Sequence, residues 1–318
     1  MCGIVGYLDK LGGEGGNIGS ILLGMLNALA CRGPDSAGVA LFGQYRPDQF
    51  VAQVKLGDNG DGAERAHKIK TIAESYGARE FTQTGAYLRF VFRKTDDLNA
   101  FIAGVEGTGP DVEVVSVGRR LEIVKQVGSP ARLEKTFGIS RVQGQHGIGH
   151  TRLSTESVVD LSHSQPFWSH GYPDLAIVHN GHITNYHQLR RRYEQRGTRF
   201  YTENDSEIVA VFLSNKLRQG ENLRVAMESM IAELDGSFSC LVATDSALGF
   251  VKDTFSFKPL VFAETDRFVA VATEEIAIRG AIPGEFAVQE AQAKEVRVWQ
   301  RWTHPDGQHE RSTALSGD

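Results

Sequence analysis

Two kinds of hydrophobic pattern alternate along this chain: short apolar runs, and longer segments with apolar residues every three or four positions. Gly3 to Leu8 is a short apolar run, read as a strand buried on both faces. Ile18 to Cys31 carries Ile21, Leu22, Met25, Leu26 and Leu29 at helical spacing and predicts an amphipathic helix. A turn at Arg32-Gly33-Pro34-Asp35-Ser36 leads into a second buried strand, Gly38 to Phe42. Further strands are predicted at Ile148 to Thr151, Ala176 to His179, Phe238 to Thr244, Phe250 to Lys252, Leu260 to Phe262 and Phe268 to Ala272. Helices are predicted at Asn185 to Gln195, Ser206 to Arg218, Leu223 to Leu234 and Glu274 to Ala281. Strands arrive in groups with helices between the groups. That order favours sheets packed face to face under helical layers over a strictly alternating parallel fold.

Residues 44–145 read as a separate piece. They hold predicted helices at Ala63 to Tyr76 and Thr95 to Val105, and strands at Ala86 to Phe92, Val112 to Val117 and Arg120 to Gln126. So long a connection is anomalous as a bare loop, so it is read as an inserted α+β subdomain within a domain over residues 2–303. Its apolar strand Leu88-Arg89-Phe90-Val91-Phe92 must bury a face, which suggests a docking or gating element for another subunit. Residues 304–318 form a polar tail expected to fray.

A chain of 318 residues can bury a large core. Its net charge of −5 offers no electrostatic footprint for nucleic acid or an anionic membrane. The three cysteines, Cys2, Cys31 and Cys240, show no C-x-x-C spacing. They suit a reducing compartment and leave no set of thiolates for an iron–sulfur cluster held by this chain alone. No metal site is expected. No segment approaches the apolar length of a membrane span, and the glycines between Gly12 and Gly16 would interrupt a leader, so the cytoplasm is the expected location.

The chain opens Met1-Cys2-Gly3-Ile4-Val5-Gly6. Removal of Met1 would place a thiol and a free α-amine on one residue. The amine titrates at about 7.7–8.0 and the thiol at about 8.5, so the amine can act as general base for its own thiol. A cysteine at position 2 taken alone reads as chance, and it is the remainder of the chain that overturns that reading.

Six motifs follow one another: Met-Cys-Gly-Ile-Val-Gly; Arg32-Gly33-Pro34-Asp35-Ser36-Ala37-Gly38; Gly149-His150-Thr151-Arg152-Leu153-Ser154-Thr155; His179-Asn180-Gly181-His182-Ile183-Thr184-Asn185-Tyr186; Glu203-Asn204-Asp205-Ser206-Glu207; and Asp235-Gly236-Ser237-Phe238-Ser239. In this order they resemble the class II glutamine amidotransferases, whose glutaminase domain is an N-terminal-nucleophile hydrolase. The resemblance covers about the first forty residues and most of 147–281, and not the insert. It implies an α+β fold, a four-layer αββα sandwich, here with the small α+β subdomain inserted.

The resemblance also implies roles. Cys2 is the nucleophile, and its α-amine carries the proton. The Asn180 side-chain amide and the Gly181 N–H stabilise the tetrahedral oxyanion, glycine allowing close backbone approach. Arg152 takes the α-carboxylate of L-glutamine through its fork, with the Thr155 hydroxyl beside it, and Asp205 takes the α-ammonium. Arg32 orders the nucleophile's loop. The residues by themselves leave other readings open. Asn180-Gly181 suits a hairpin turn, Arg152 a surface cation, and Asp205 the N-cap of the helix beginning near Ser206. His150 and His179 are tempting general bases and are read as structural.

Arg152-Leu153-Ser154-Thr155 and Gln165-Pro166-Phe167 look closer to glutamate synthases than to sugar-phosphate synthases, which commonly carry tryptophan after the arginine. No pyrophosphatase loop, Walker A motif or sugar-isomerase signature is present, so the ammonia-consuming site is expected on a separate polypeptide. In this the chain resembles the free-standing amidotransferase subunit of N-methylglutamate synthase and of glutamate-synthase-like complexes. That implies synthase subunits as partners, with FMN and iron–sulfur chemistry on them and no cofactor on this chain. A catalytically silent scaffold and a non-glutamine amidase are the alternatives.

Overall fold

The computed structural model describes residues 2–11, 16–57, 62–154 and 159–300. The glycine-rich stretch 12–15, Thr155 and the tail 304–318 lie outside the described residues.

A seven-stranded sheet forms the first half of the body. In spatial order its strands are β15 (Gln289–Glu290), β13 (Val261–Glu264), β14 (Phe268–Ala272), β1 (Gly3–Asp9), β8 (His146–Arg152), β2 (Ser36–Phe42) and β7 (Leu121–Val127). A five-stranded sheet faces it: β16 (Val296–Gln300), β12 (Ala247–Lys252), β11 (Gly236–Ala243), β10 (Ala176–Ile183) and β9 (Phe167–Trp168). Every pairing in both sheets is antiparallel.

The side-chain alternation of a strand explains the layers. On β1, Ile4 and Leu8 point inward to meet Val178, Leu241 and Phe250 of the facing sheet. Val5 points outward, under the helices α1 (Ile18–Ala28), α4 (Pro130–Phe137) and α8 (Glu275–Ala281). On the second sheet, Ile177, Val242 and Val251 point outward under α5 (Tyr186–Glu194), α6 (Asp205–Arg218) and α7 (Leu223–Glu233). The four layers are therefore helix, sheet, sheet, helix, as the grouping of strands predicted. Both faces of each sheet are covered, which is why strands such as β2 are buried at every position.

A third, four-stranded sheet is added at one end, in the order β4 (Arg79–Thr84), β5 (Tyr87–Arg93), β3 (Gln49–Lys55), β6 (Glu113–Gly118), with α2 (Gly62–Ser75) and α3 (Leu98–Glu106) beside it. The predicted boundary of 44–145 does not survive. The strand expected at Arg120 to Gln126 is β7, which pairs along its whole length with β2 in the main sheet, and α4 packs in the outer helical layer. β6 and β7 are consecutive, similarly apolar strands, and pattern alone cannot say that the chain changes sheet between them. The switch is held by Asp174, whose carboxylate accepts the N–H groups of Arg119 (2.8 Å), Arg120 (2.9 Å) and Leu121 (3.0 Å). Leu88, Phe90 and Phe92 lie in one core with Ile69, Phe101 and Val105, continuous with the space between the sheets. Burying that strand thus requires no other subunit.

Candidate active site

Cys2 sits immediately before β1, and β1 lies between β14 and β8. This placement draws distant parts of the sequence to one residue. The Cys2 thiol faces the Leu153 carbonyl at 3.7 Å. The Cys2 carbonyl accepts from Asn180 Nδ2 at 3.2 Å and from Arg32 Nε at 3.4 Å. Arg32 also donates to Glu274, just past β14. The turn holding Arg32 is pressed on β8: a Cβ on Gly33 would lie 2.4 Å from the Thr151 carbonyl carbon. Asp35 closes it by accepting from Ser154 N at 2.8 Å, while Asp35 N donates to the Arg152 carbonyl at 3.0 Å.

Asn180 and Gly181 lie inside β10, opposite Ser239 and Phe238 of β11. The hairpin-turn alternative is thereby overturned. A Cβ on Gly181 would lie 2.2 Å from the Ser237 carbonyl oxygen, so the neighbouring strand itself demands glycine. Arg152 ends β8 and is 5% exposed, so it is no surface cation. Burial lowers its pKa while the fields of Cys2, Asp160 and Asp35 oppose that, and an arginine so placed stays charged.

Asp205 is the first residue of α6 and not its cap. Asn204 is the N-cap, its side-chain oxygen accepting from Ser206 N at 3.0 Å. The Asp205 carboxylate accepts from Ile183 N at 2.9 Å, which ties it to the end of β10. His182 Nδ1 and His179 Nδ1 stand 3.8 and 3.7 Å from it. Thr155, expected near the substrate carboxylate, lies outside the described residues.

Both candidate histidine bases are buried. His150 is lowered to about 3 by burial and by the charge of Arg152. His179 is lowered by burial, and its ring contacts Ser206 Oγ at 2.9 Å. Gln165 clamps the His179 backbone, accepting from its N at 2.6 Å and donating to its O at 2.8 Å. That arrangement fixes β10 against α6 and keeps both imidazoles neutral, in keeping with a structural part. Nothing local in the sequence marks Glu274, which comes to Arg32 and Cys2 through the pairing of β14 with β1, whereas Asp35 and Leu153 lie in motifs already visible in the chain. Gln165 had a visible signal in the Gln165-Pro166-Phe167 motif.

A cleft of about 350 Å³ opens elsewhere, between the added sheet and the outer helical layer, lined by residues such as Val51, Arg89, Glu122 and Phe137. It shares no residue with the cluster around Cys2. The convergence of Asn180 and Arg32 on Cys2 marks the candidate site instead. Among the described residues, no three His, Cys, Asp or Glu side chains gather to hold a metal, and no helix is long and apolar enough to cross a membrane.

Residues 150–280 match the glutamine amidotransferase domain family. A Methanothermobacter thermautotrophicus protein, itself assigned to the glutamine amidotransferases only provisionally, is 33% identical over 94% of this chain and 100% of its own length. The glutamine amidotransferase-like protein GlxB of Rhizobium meliloti is 35% identical over 87% of this chain and 91% of its own. Among solved structures, the allosteric regulatory enzyme of purine biosynthesis superposes with a TM-score of 0.61 at 19% identity, covering 93% of this chain and 46% of that one. The Bacillus subtilis glutamine phosphoribosylpyrophosphate amidotransferase gives 0.59 at 19% identity, over 93% of this chain and 47% of its own. At such identity these two speak for the fold alone, which this chain shares with them; membership rests on the full-length relatives, and the chain belongs to the glutamine amidotransferase family.

Proposed function

We propose that this protein hydrolyses L-glutamine at Cys2 and passes the ammonia to a separate synthase subunit. The observation that carries the proposal is the meeting of Asn180 Nδ2 and Arg32 Nε at the Cys2 backbone, 3.2 and 3.4 Å from its carbonyl. Removal of Met1 frees the Cys2 α-amine. The amine takes the thiol proton as sulfur attacks the carboxamide carbon, and the charge gathers on oxygen beside Asn180 Nδ2 and the Gly181 N–H. The same proton then goes to the leaving nitrogen, releasing ammonia and a γ-glutamyl thioester. Water, deprotonated by the amine, cleaves the thioester to glutamate and restores the thiol. Arg152 and Thr155 hold the substrate's carboxylate, and Asp205 its ammonium, while Arg32 holds the Cys2 carbonyl away from the attack path.

The acceptor subunit is proposed to be of the N-methylglutamate synthase or glutamate-synthase-like type, with FMN and iron–sulfur centres on the partner chains. Support comes from Leu153 and from the Gln165-Pro166-Phe167 motif after Arg152. In the test, the intact mass of active protein lacks Met1, and a glutamine-like diazoketone adds one equivalent to Cys2. Cys2→Ala abolishes both labelling and glutaminase turnover. Full turnover by Cys2→Ala overturns the proposal, and an unlabelled wild-type Cys2 points to a silent scaffold. Mass analysis of chains that co-purify with the native protein checks the synthase type.

A further inference from the structure

Two polar clamps join the added sheet to the segments that flank Asp205. The first runs through Ser162. Its hydroxyl accepts from Lys55 Nζ of β3 at 2.9 Å and donates to Glu113 Oε2 of β6 at 2.6 Å. Lys55 and Glu113 are 2% and 8% exposed, so the contact is made in a dry environment. Ser162 belongs to a turn locked by His163 N donating to Asp160 at 2.7 Å and by Ser164 Oγ donating to the Asp160 carbonyl at 2.5 Å. The turn's His163 carbonyl accepts from Asn204 Nδ2 at 3.3 Å, and Asn204 caps the helix that begins at Asp205.

The second clamp runs through Glu106. Glu106, at the end of α3, accepts from the Tyr201 hydroxyl at 2.9 Å and stands 3.5 Å from Arg199. Its other oxygen accepts from Val114 N of β6 at 3.1 Å. The Tyr201 ring stacks on His170 with centroids 3.6 Å apart. Tyr201 N and Thr202 N both donate to Glu207 on α6, each at 2.8 Å. The two clamps therefore close on the first turn of α6 from the turn at 160–164 and from the segment at 199–204.

We infer that Lys55, Glu113 and Glu106 are positioning residues for substrate recognition: the added sheet sets the place of Asp205 through Ser162–His163–Asn204 on one side and Tyr201–Glu207 on the other. Buried polar networks of this kind fix a unique geometry more than they add stability. A carboxylate that must meet an ammonium is sensitive to such placement, since a misplacement of about 1 Å costs on the order of 100-fold. The inference deepens the glutaminase proposal and rests on Asp205 reading the α-ammonium.

The test uses two amides, L-glutamine and glutaramate, which differ only in the α-ammonium. In Lys55→Met the preference of kcat/KM for glutamine over glutaramate falls about tenfold, through KM for glutamine, while kcat is kept. Tyr201→Phe deletes a single hydrogen bond of the other clamp, leaves the ring stack in place and shifts the preference the same way, so the inference stays testable if Lys55→Met does not fold. A preference unchanged in folded variants, or an equal loss on both substrates, overturns the inference while leaving the glutaminase proposal standing. Wild-type protein that hydrolyses neither amide removes both.

Discussion

Gly181 shows how strongly a single position is constrained. Its place in β10 leaves 2.2 Å between any added Cβ and the Ser237 carbonyl, so a methyl group there must part β10 from β11. The same backbone is the proposed oxyanion donor. Gly181→Ala should therefore lower kcat about 100- to 1,000-fold, the range seen on loss of one such donor, and should also lower the melting temperature. Steady-state glutaminase kinetics with a parallel thermal melt would check it; near wild-type turnover would take Gly181 out of the site. Asp205 makes a related point about what lies beside a residue. Its neighbour Asn204 is the helix cap, which leaves the Asp205 carboxylate for Ile183 N and for the proposed contact with the substrate ammonium.

Among the elements, the turn between β6 and β7 carries the chain from the added sheet back to the body. Three backbone N–H groups there converge on one carboxylate, that of Asp174, which is 3% exposed. Asp174→Ala would leave those donors without that acceptor, two of the three in buried surroundings, and should cost about 3–5 kcal/mol. The measurement is the midpoint of urea unfolding, and a change below about 1 kcal/mol would show that the carboxylate is dispensable. Because the switch separates the two sheets, glutamine recognition should weaken along with stability. This element was also where the sequence pattern misled. The apolar alternation of β7 is as clear as that of β6, and nothing in it records which sheet each strand joins.

For the whole molecule, burial of imidazoles sets a response to acid. His150 and His170 are both lowered from 6.5 to about 3, first by desolvation and then by nearby cations, Arg152 and Lys125 respectively. The unfolded chain binds these protons below about pH 6.5 and the folded chain does not, so stability is lost as pH falls through 6.5 toward 3. At pH 5 each imidazole should contribute about 2 kcal/mol of destabilisation relative to pH 8. Denaturant unfolding at the two pH values checks the total, and His170→Gln, which cannot titrate, should remove about half of the loss assigned to the pair. A pH-independent midpoint between 8 and 5 would contradict this account.

The order of strands and helices and the four-layer class were legible in the chain because strands covered on both faces must be apolar throughout. Helices covered on one face must repeat every 3.6 residues. The candidate site residues were legible through the ordered motifs and the resemblance these carry, from Cys2 at the start to Asp205. Short or polar elements escaped notice. β3 carries Gln53 and Lys55, and β16 carries Arg297, so neither reads as a clean apolar run. The tertiary structure alone decided where the chain changes sheet, that Asn180-Gly181 is strand and not turn, and that Arg152 is buried. It alone placed Glu274 against the Arg32 that holds Cys2, set Asp35 on Ser154, and joined Lys55 to the Asp205 helix through Ser162. Each of these depends on contacts between segments far apart in sequence, and local pattern holds no record of which distant partner a residue meets.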